Sequence, residues 1–296
     1  MKKKQQLGVI TTVLMILLGI LCLIPFLLIF SVSLSENGRL MKEGYNVIPV
    51  GLDVSAFTYV IQRGSAILKS VGISAFVTVV GTFCGVMMAL MFAYPMTRKG
   101  YPLARFMTIF ILIPMLFSGG LVPQYILYTQ GLKIKNTIFA LLLPNLLVSS
   151  YNIIVMRTFI KSGIPDDILD AASIDGASEG KIFLRIVLPL AKPIIGTTGL
   201  MTGMAYYNDW TNGLYYITDS KLFSLQNLLN RMLTNIQFLQ QNSEQLANQA
   251  GQALAELPTA NIRMALAVVG LIPVFLAFPF IHKAMIGGLT VGALKG

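Results

Sequence analysis

The sequence predicts an all-α polytopic membrane protein with six transmembrane helices, and three observations predict it. First, the 296-residue chain is 55% hydrophobic and only 11% charged, with a mean hydropathy of +0.73. Second, its apolar residues fall in six long, nearly charge-free stretches rather than on the alternating faces of a soluble domain. Third, its Lys and Arg residues are distributed unevenly between the segments that separate those stretches. About 20 apolar residues are needed for a helix to cross the hydrocarbon layer. Backbone polar groups cannot stay unpaired there, so each stretch should be helical. The whole chain, 1–296, reads as one transmembrane domain.

The expected spans lie at about 7–31, 71–96, 106–128, 136–157, 193–217 and 264–285. The first follows Lys2, Lys3 and Lys4, as a secretory signal would, but its apolar run is too long for a signal core and no small-residue cleavage site closes it. It is expected to be a retained anchor. The second carries Gly81 and Gly85 and the fifth carries Gly199 and Gly203, small-residue pairs suited to close helix packing. The third contains Pro114, Gly119, Gly120 and Pro123, where a helix can break. Cys22 and Cys84 both fall inside spans and read as small apolar residues, with no disulfide or metal framework in view.

Six spans place both termini on one side. With this threading, thirteen of the 22 Lys and Arg residues lie on the side of the termini, and seven of the other nine are spread over two much longer loops. Positive residues in short loops stay in the cytoplasm. The expectation is a multi-pass protein of the bacterial plasma membrane with both termini cytoplasmic. The net charge of +10 is then a topology signal, and no basic stripe remains to suggest nucleic acid.

That orientation puts the stretch PDDILDAASIDGASEGKIFLRIVLP, residues 165–189, in a cytoplasmic loop at about 161–192. Five of the chain's twelve acidic residues fall here, between Asp166 and Glu179. Pro165 suits a first helical turn, and Asp166 and Asp167 suit its positive end. Ile168, Ala171, Ala172 and Asp175 fall at i, i+3, i+4 and i+7, so they share a helical face. Gly176 can end the helix in a left-handed turn. A second short helix runs through Ile182, Phe183 and Ile186, and Pro189 and Pro193 lead into the fifth span. The predicted form is a helix–turn–helix knuckle standing off the membrane. Lying flat on the lipid is the other arrangement open to it, but the acids oppose the negative inner leaflet.

Here a resemblance enters. Asp170-Ala171-Ala172, three residues, Gly176, nine residues, then Ile186-Val187-Leu188-Pro189 resembles the EAA loop of ATP-binding cassette (ABC) importer permeases, with Asp170 in place of the usual Glu. Further segments are similar to the carbohydrate, maltose-type branch and its oligosaccharide and polysaccharide permeases: Gly119–Pro123, Gly131-Leu132 with Asn136-Thr137, Trp210 with Asn212, and Val291–Gly296. The resemblance implies the type I importer permease fold. It implies a coupling role for about Ile164–Arg185, carried by Asp170, Ala171, Ala172, Asp175, Gly176, Ile186 and Pro189. The implied partners are a second, non-identical permease, two ATPase subunits that hold ATP and Mg, and an extracellular sugar-binding protein. The implied cargo is an oligosaccharide or glycan, moved by alternating access.

The residues agree that the energy source is elsewhere. Gly176, Gly180 and Lys181 invite comparison with a phosphate-binding loop, but the spacing is one short and Ile182 stands where a hydroxyl must hold Mg²⁺. No cofactor is therefore expected in this chain. A proton-coupled secondary carrier is the alternative. It would need ionisable groups along the spans, and only Asp209 qualifies, with His282 at an inner end. An enzyme would need a convergent site, and one His with no nucleophile–base pair does not supply it.

For a substrate path, hydroxyl-bonding groups and stacking rings inside the spans are the candidates. Tyr207, Asn208, Asp209 and Trp210 lie along the fifth span. Asn145, Ser149 and Asn152, spaced by four and three, share one face of the fourth and could line the path. Interhelical hydrogen bonding is an equally good reading of that second group, and Trp210, Tyr215 and Tyr216 also suit an interfacial aromatic belt. The long segments 33–70 and 219–261 are the expected outer docking surface, with a polar helix over 235–256.

Overall fold

A computed structural model of the chain describes residues 2–62, 64–241 and 260–293. The described residues are mostly helical. In chain order the helices are α1 (Lys2–Ser33), α2 (Asn37–Glu43), α3 (Ser55–Gln62), α4 (Gly64–Ala93), α5 (Ala104–Leu116) and α6 (Leu121–Ile126), which continues into a π turn, Leu127–Gly131. Then come α7 (Phe139–Leu142), α8 (Ser150–Gly163), α9 (Asp166–Ile174) and α10 (Glu179–Ile182), which runs through a π turn, Phe183–Val187, into the short α11 (Leu188–Leu190). The last are α12 (Lys192–Asn208), α13 (Thr211–Tyr216), α14 (Leu225–Gln241) and α15 (Ala260–Ala293). The described residues divide into two compact units: those within Met1–Leu68 and Leu229–Val274, and those within Lys69–Leu228 and Phe275–Gly296.

In the first unit, the apolar stretch of α1 is almost wholly uncovered: Met15, Leu17 and Leu21 are all more than half exposed. Its C-terminal end is tied down. Ser31 Oγ donates to the Asn46 carbonyl at 2.7 Å, and Ser35 Oγ donates back to the Ser31 carbonyl at 2.7 Å. Asn261 Nδ2 of α15 donates to the Ser35 carbonyl at 3.2 Å. These bonds fix where the chain leaves the greasy helix and turns into the segment 34–54.

In the second unit, the helices are shorter and more bent than hydropathy suggests. Among the described residues two helices are long and apolar enough to cross a membrane alone, Thr11–Ser33 and Gly64–Thr97. Two further pairs qualify only if each is one broken crossing: Ala104–Leu116 with Leu121–Gly131, bent by 115°, and Glu179–Leu190 with Lys192–Asn208, bent by 76°. The break expected in the third span is present, at Phe117–Gly120, where Gly120 has φ +82°.

The fourth and fifth spans depart from expectation. The stretch 136–157 is not one helix. It holds the single turn of α7 and the start of α8, with Pro144 and a left-handed Asn145 (φ +62°) between them. Pro144 has no amide N–H to donate to the preceding turn, and a left-handed residue cannot continue a right-handed helix. The stretch 193–217 likewise stops at Asn208 and restarts as α13. The sixth expected span falls within α15, which includes the apolar helix Ala260–Leu276. Of the polar helix expected at 235–256, residues 235–241 form the end of α14, and residues 242–259 lie outside the described residues.

Two cores organise this unit. One joins α4 to α8 and the 161–192 loop through Leu90, Met96, Met156, Ile160, Leu169 and Ile182, all buried. The other gathers Val77, Leu141, Tyr206, Tyr216 and Ile217. Glycines let α4 and α12 approach. A methyl group on Gly81 would sit 2.4–2.6 Å from the ring carbons of Tyr206, and one on Gly203 would sit 3.3 Å from Thr82 Oγ1. The small residues therefore serve packing within this chain. Gly81→Ala should lower thermal stability by about 1–3 kcal/mol through overpacking against a fully buried ring. Gly72→Ala, on the same helix with nothing within 4 Å of the added methyl, should leave the melting temperature unchanged or higher. Equal melting of the two variants in detergent would overturn the assignment.

Candidate coupling loop and transport path

The 161–192 loop is a knuckle rooted in a core. Its first arm is α9, which starts after Pro165 with Asp166 and Asp167 in the first turn, where the helix dipole favours acids. Leu169 points inward and is 3% exposed, whereas Ile168 and Ile174 are 45% and 87% exposed. The helix ends in a Schellman turn: Gly176 N–H donates to the Ser173 carbonyl at 3.1 Å and Ala177 N–H to the Ala172 carbonyl at 3.0 Å. Gly176 has φ +79° with nothing within 4 Å of an added Cβ, so backbone conformation, not space, requires glycine. The expected stop at Gly176 and the expected second helix are both present.

The second arm differs from a plain α-helix. In an α-helix Ile182 and Ile186 would share the inward face. The π turn at Phe183–Val187 adds a residue, and the two fully buried positions are Ile182 and Val187, five apart. Ile186 is half-buried, and Pro189 caps the arm at the surface.

The acids of the loop are tied to the segment that follows α4. Arg98 reaches three places at once. Its Nε and Nη2 donate to Glu179 Oε1 at 3.2 and 3.0 Å, and Nη2 also donates to Ser173 Oγ at 3.1 Å. Its Nη1 lies 3.6 Å from Asp170 Oδ1. Tyr94 Oη donates to the other oxygen of Glu179. Beside it, Lys99 Nζ lies 2.7 Å from Asp166 Oδ2. The hydrogen bond from Lys99 holds the Asp166 carboxyl below its ordinary value, and the same bond raises Lys99. The charge concentrated in the loop is thus partly an internal tie. Sequence reading counted Arg98 and Lys99 only toward topology. The signal that could have found them is the polar stripe Asp166, Asp170 and Ser173, at i, i+4 and i+7, which runs along the helix beside the buried Leu169.

The candidate path residues are scattered over two helix breaks rather than arrayed on one face. Asn145 sits in the break after α7, exposed, with Nδ2 3.5 Å from Gln124 Oε1. Ser149 caps α8, its Oγ accepting from Asn152 N–H at 3.3 Å. Asn152 is buried and donates to Thr202 Oγ1 at 2.9 Å, so it is an interhelical bond between α8 and α12. Asp209 caps α13: its Oδ1 accepts from the N–H groups of Thr211 and Asn212 at 3.0 and 3.2 Å. Tyr207 is half-buried, Asn208 is exposed and Trp210 is 42% exposed.

What sequence reading missed is Asn212, which is buried and donates to the Pro144 carbonyl at 3.1 Å. That bond brings the break of the fourth span against the break of the fifth. Tyr206 Oη does the same for the Leu142 carbonyl at 2.8 Å. Irregular backbone at membrane depth is tolerated where it is buried in protein or lines a cavity. Asn145, Asn208 and Trp210 are exposed at or next to these breaks.

Comparison with known proteins now decides the class. Residues 81–289, which include the whole knuckle and both breaks, match the family described as binding-protein-dependent transport system inner membrane component. The chain belongs to that family. As a family member it is similar to protein LplC of Bacillus subtilis, 31% identical over 94% of this chain and 91% of the relative. It is also similar to the polygalacturonan/rhamnogalacturonan transport system permease protein YtcP of the same organism, 29% identical over 95% and 96%. Among solved structures it shares the fold of a chain from a bacterial ABC transporter involved in alginate import, with a TM-score of 0.76 and 24% identity, covering 96% of this chain and 98% of that one. The resemblance carried by the EAA-like motif holds, and family membership decides against the proton-coupled carrier.

Two outcomes test this geometry. Asp209→Ala should lose the α13 cap and about 1 kcal/mol of stability, while Asp209→Asn, which keeps a capping oxygen, should lose much less. Thermal unfolding of both variants checks it. For the Lys99–Asp166 tie, Asp166 is lowered from 3.8 and Lys99 raised from 10.5. The tie is therefore present above 3.8 and lost only as pH falls through the lowered Asp166 value, or rises through the raised Lys99 value. The effect of Lys99→Ala on transport should be the same at roughly pH 6 and roughly pH 8.

Proposed function

We propose that this chain is one of two non-identical permeases of an ATP-driven importer that takes up oligosaccharides or glycans across the bacterial plasma membrane. In this reading α1, α4, α5 with α6, α7 with α8, α12 with α13, and α15 make six crossings, with both termini in the cytoplasm. The excess of Lys and Arg on the side of the termini supports that orientation. Two separate ATPase subunits hold ATP and Mg. An extracellular sugar-binding protein delivers the cargo, and this chain performs no chemistry on it. The named cargoes of relatives, polygalacturonan and rhamnogalacturonan, arabinooligosaccharides and trehalose among them, support a glycan.

The observation that carries the reading is the knuckle itself. A membrane importer subunit gripped by a cytoplasmic motor needs a rigid foot whose root is continuous with the spans and whose tip is uncovered. Leu169, Ile182 and Val187 supply the root, and Ile168, Ile174 and Leu184 supply an apolar tip. An apolar tip of this kind favours a protein partner over solvent. Asp170, Ala171, Ala172, Asp175 and Gly176 then orient the foot for docking, and Ile186 and Pro189 join it to α12. The path runs past the breaks at 143–149 and 209–210. Asn145, Asn208 and Trp210 are placed there to meet hydroxyls and sugar faces, Tyr207 and Asp209 support them, and Ser149 and Asn152 hold the break in shape.

The experiment is ATP-driven uptake by the reassembled transporter carrying Gly176→Val. A β-branched residue at a left-handed position costs at least about 1–2 kcal/mol locally, so the turn should open while the spans insert normally. Uptake should fall to background. Full uptake by a properly inserted Gly176→Val protein would remove the docking role.

A further inference from the structure

We propose that Arg98 is a positioning residue for energy coupling: it locks the two arms of the knuckle to each other and to the end of α4, so that the foot and that span move as one body. This rests on the reading of residues 164–185 as the coupling loop. Asp170 and Ser173 lie on α9 and Glu179 lies on α10, on opposite sides of the Gly176 turn. One guanidinium donates hydrogen bonds to Ser173 and Glu179 and forms an ion pair with Asp170 at 3.6 Å. Its side chain is only 17% exposed, and its planar fork can hold several acceptors in fixed directions, which a single ammonium cannot.

The need for such a lock follows from the turn. Nothing packs within 4 Å of a Cβ at Gly176, so side-chain packing there does not set the angle between the arms. The apolar core holds the base of each arm through Leu169 and Ile182, yet apolar contacts slide. A directional ionic tie does not, because its partners lose their hydrogen bonds when displaced. Tyr94 completes the lock by donating to the second oxygen of Glu179 and by packing its ring 5.6 Å from Phe183. Tyr94 and Arg98 frame the short helical turn that ends the α4 span. A push on the foot therefore reaches α4 through a rigid connection. The first acid of the EAA-like motif, Asp170, faces this lock within its own chain, which gives its shorter side chain a partner that needs no added reach.

The test uses the complete reassembled transporter and reads substrate moved per ATP hydrolysed, together with basal ATPase activity and complex assembly. Arg98→Ala should assemble and hydrolyse ATP at close to the native basal rate, but move about tenfold less substrate per ATP, as expected from loss of a charge-assisted network. Arg98→Lys should recover part of that ratio. Lys99→Ala, whose pair is largely exposed, should change the ratio by less than about twofold. If Arg98→Ala fails to assemble, Glu179→Gln and Asp170→Asn remove the charge of one arm at a time and should each lower the ratio. A native ratio in Arg98→Ala, or in both of the single-arm variants, overturns the proposal. The Gly176→Val protein separates the two failures: if it too transports normally, the coupling-loop reading is wrong; if it alone is dead, only the lock is.

Discussion

A helix that stops in a buried region frees carbonyl and amide groups that must find partners within the protein. Much of the second unit follows from that constraint. Between Leu142 and Ser150, and again at Asp209-Trp210, the chain abandons helical geometry. Each break is then repaired by a particular side chain. Tyr206 reaches the Leu142 carbonyl, Asn212 reaches the Pro144 carbonyl, Asp209 collects the amides of Thr211 and Asn212, and Asn227 Nδ2 donates to the Trp210 carbonyl. The repairs cross from one break to the other, so the interruptions hold each other in place. Polar side chains that would be penalised in lipid are here the means by which non-helical backbone survives.

Much of this fold was legible in the sequence, for physical reasons. The charge-free stretches marked where helices lie, because hydrophobicity sets membrane insertion. Gly176 marked a turn because only a residue without a Cβ sits comfortably at positive φ. The knuckle's first helix was set by Pro165 and the two aspartates at its positive end. The interruptions in the fourth and fifth spans were not legible. Leu142, Pro144 and Leu146 are all apolar, so hydropathy passes over the left-handed Asn145 between them. The spacing of Asn145, Ser149 and Asn152 was read with a helical period that does not hold across the break. Their roles diverged accordingly into an exposed polar group, a helix cap and a buried interhelical bond.

The ties of the loop were illegible for another reason. Arg98 and Glu179 are 81 residues apart, and nothing local in the sequence joins them. Charge counting placed both on the same side of the membrane and could go no further. The same holds for Gly81 and Tyr206: a small residue in a span signals close packing, but not against which helix. In both cases the local chemistry was readable and the partner was supplied by the fold.

The π turn in the second arm sets a length as well as a shape. The nine residues between Gly176 and Ile186 include one that an unbroken α-helix would not need to bring Ile182 and Val187 to the same buried face. Counting from the turn to the proline is therefore counting along a ruler with an extra division. Deleting that residue would let the arm wind as an ordinary α-helix with Pro189 and the start of α12 still facing as they do, whereas a residue added or removed without a π turn to absorb it would swing everything beyond by about 100°. The spacing of the motif sets a rotation as well as a distance.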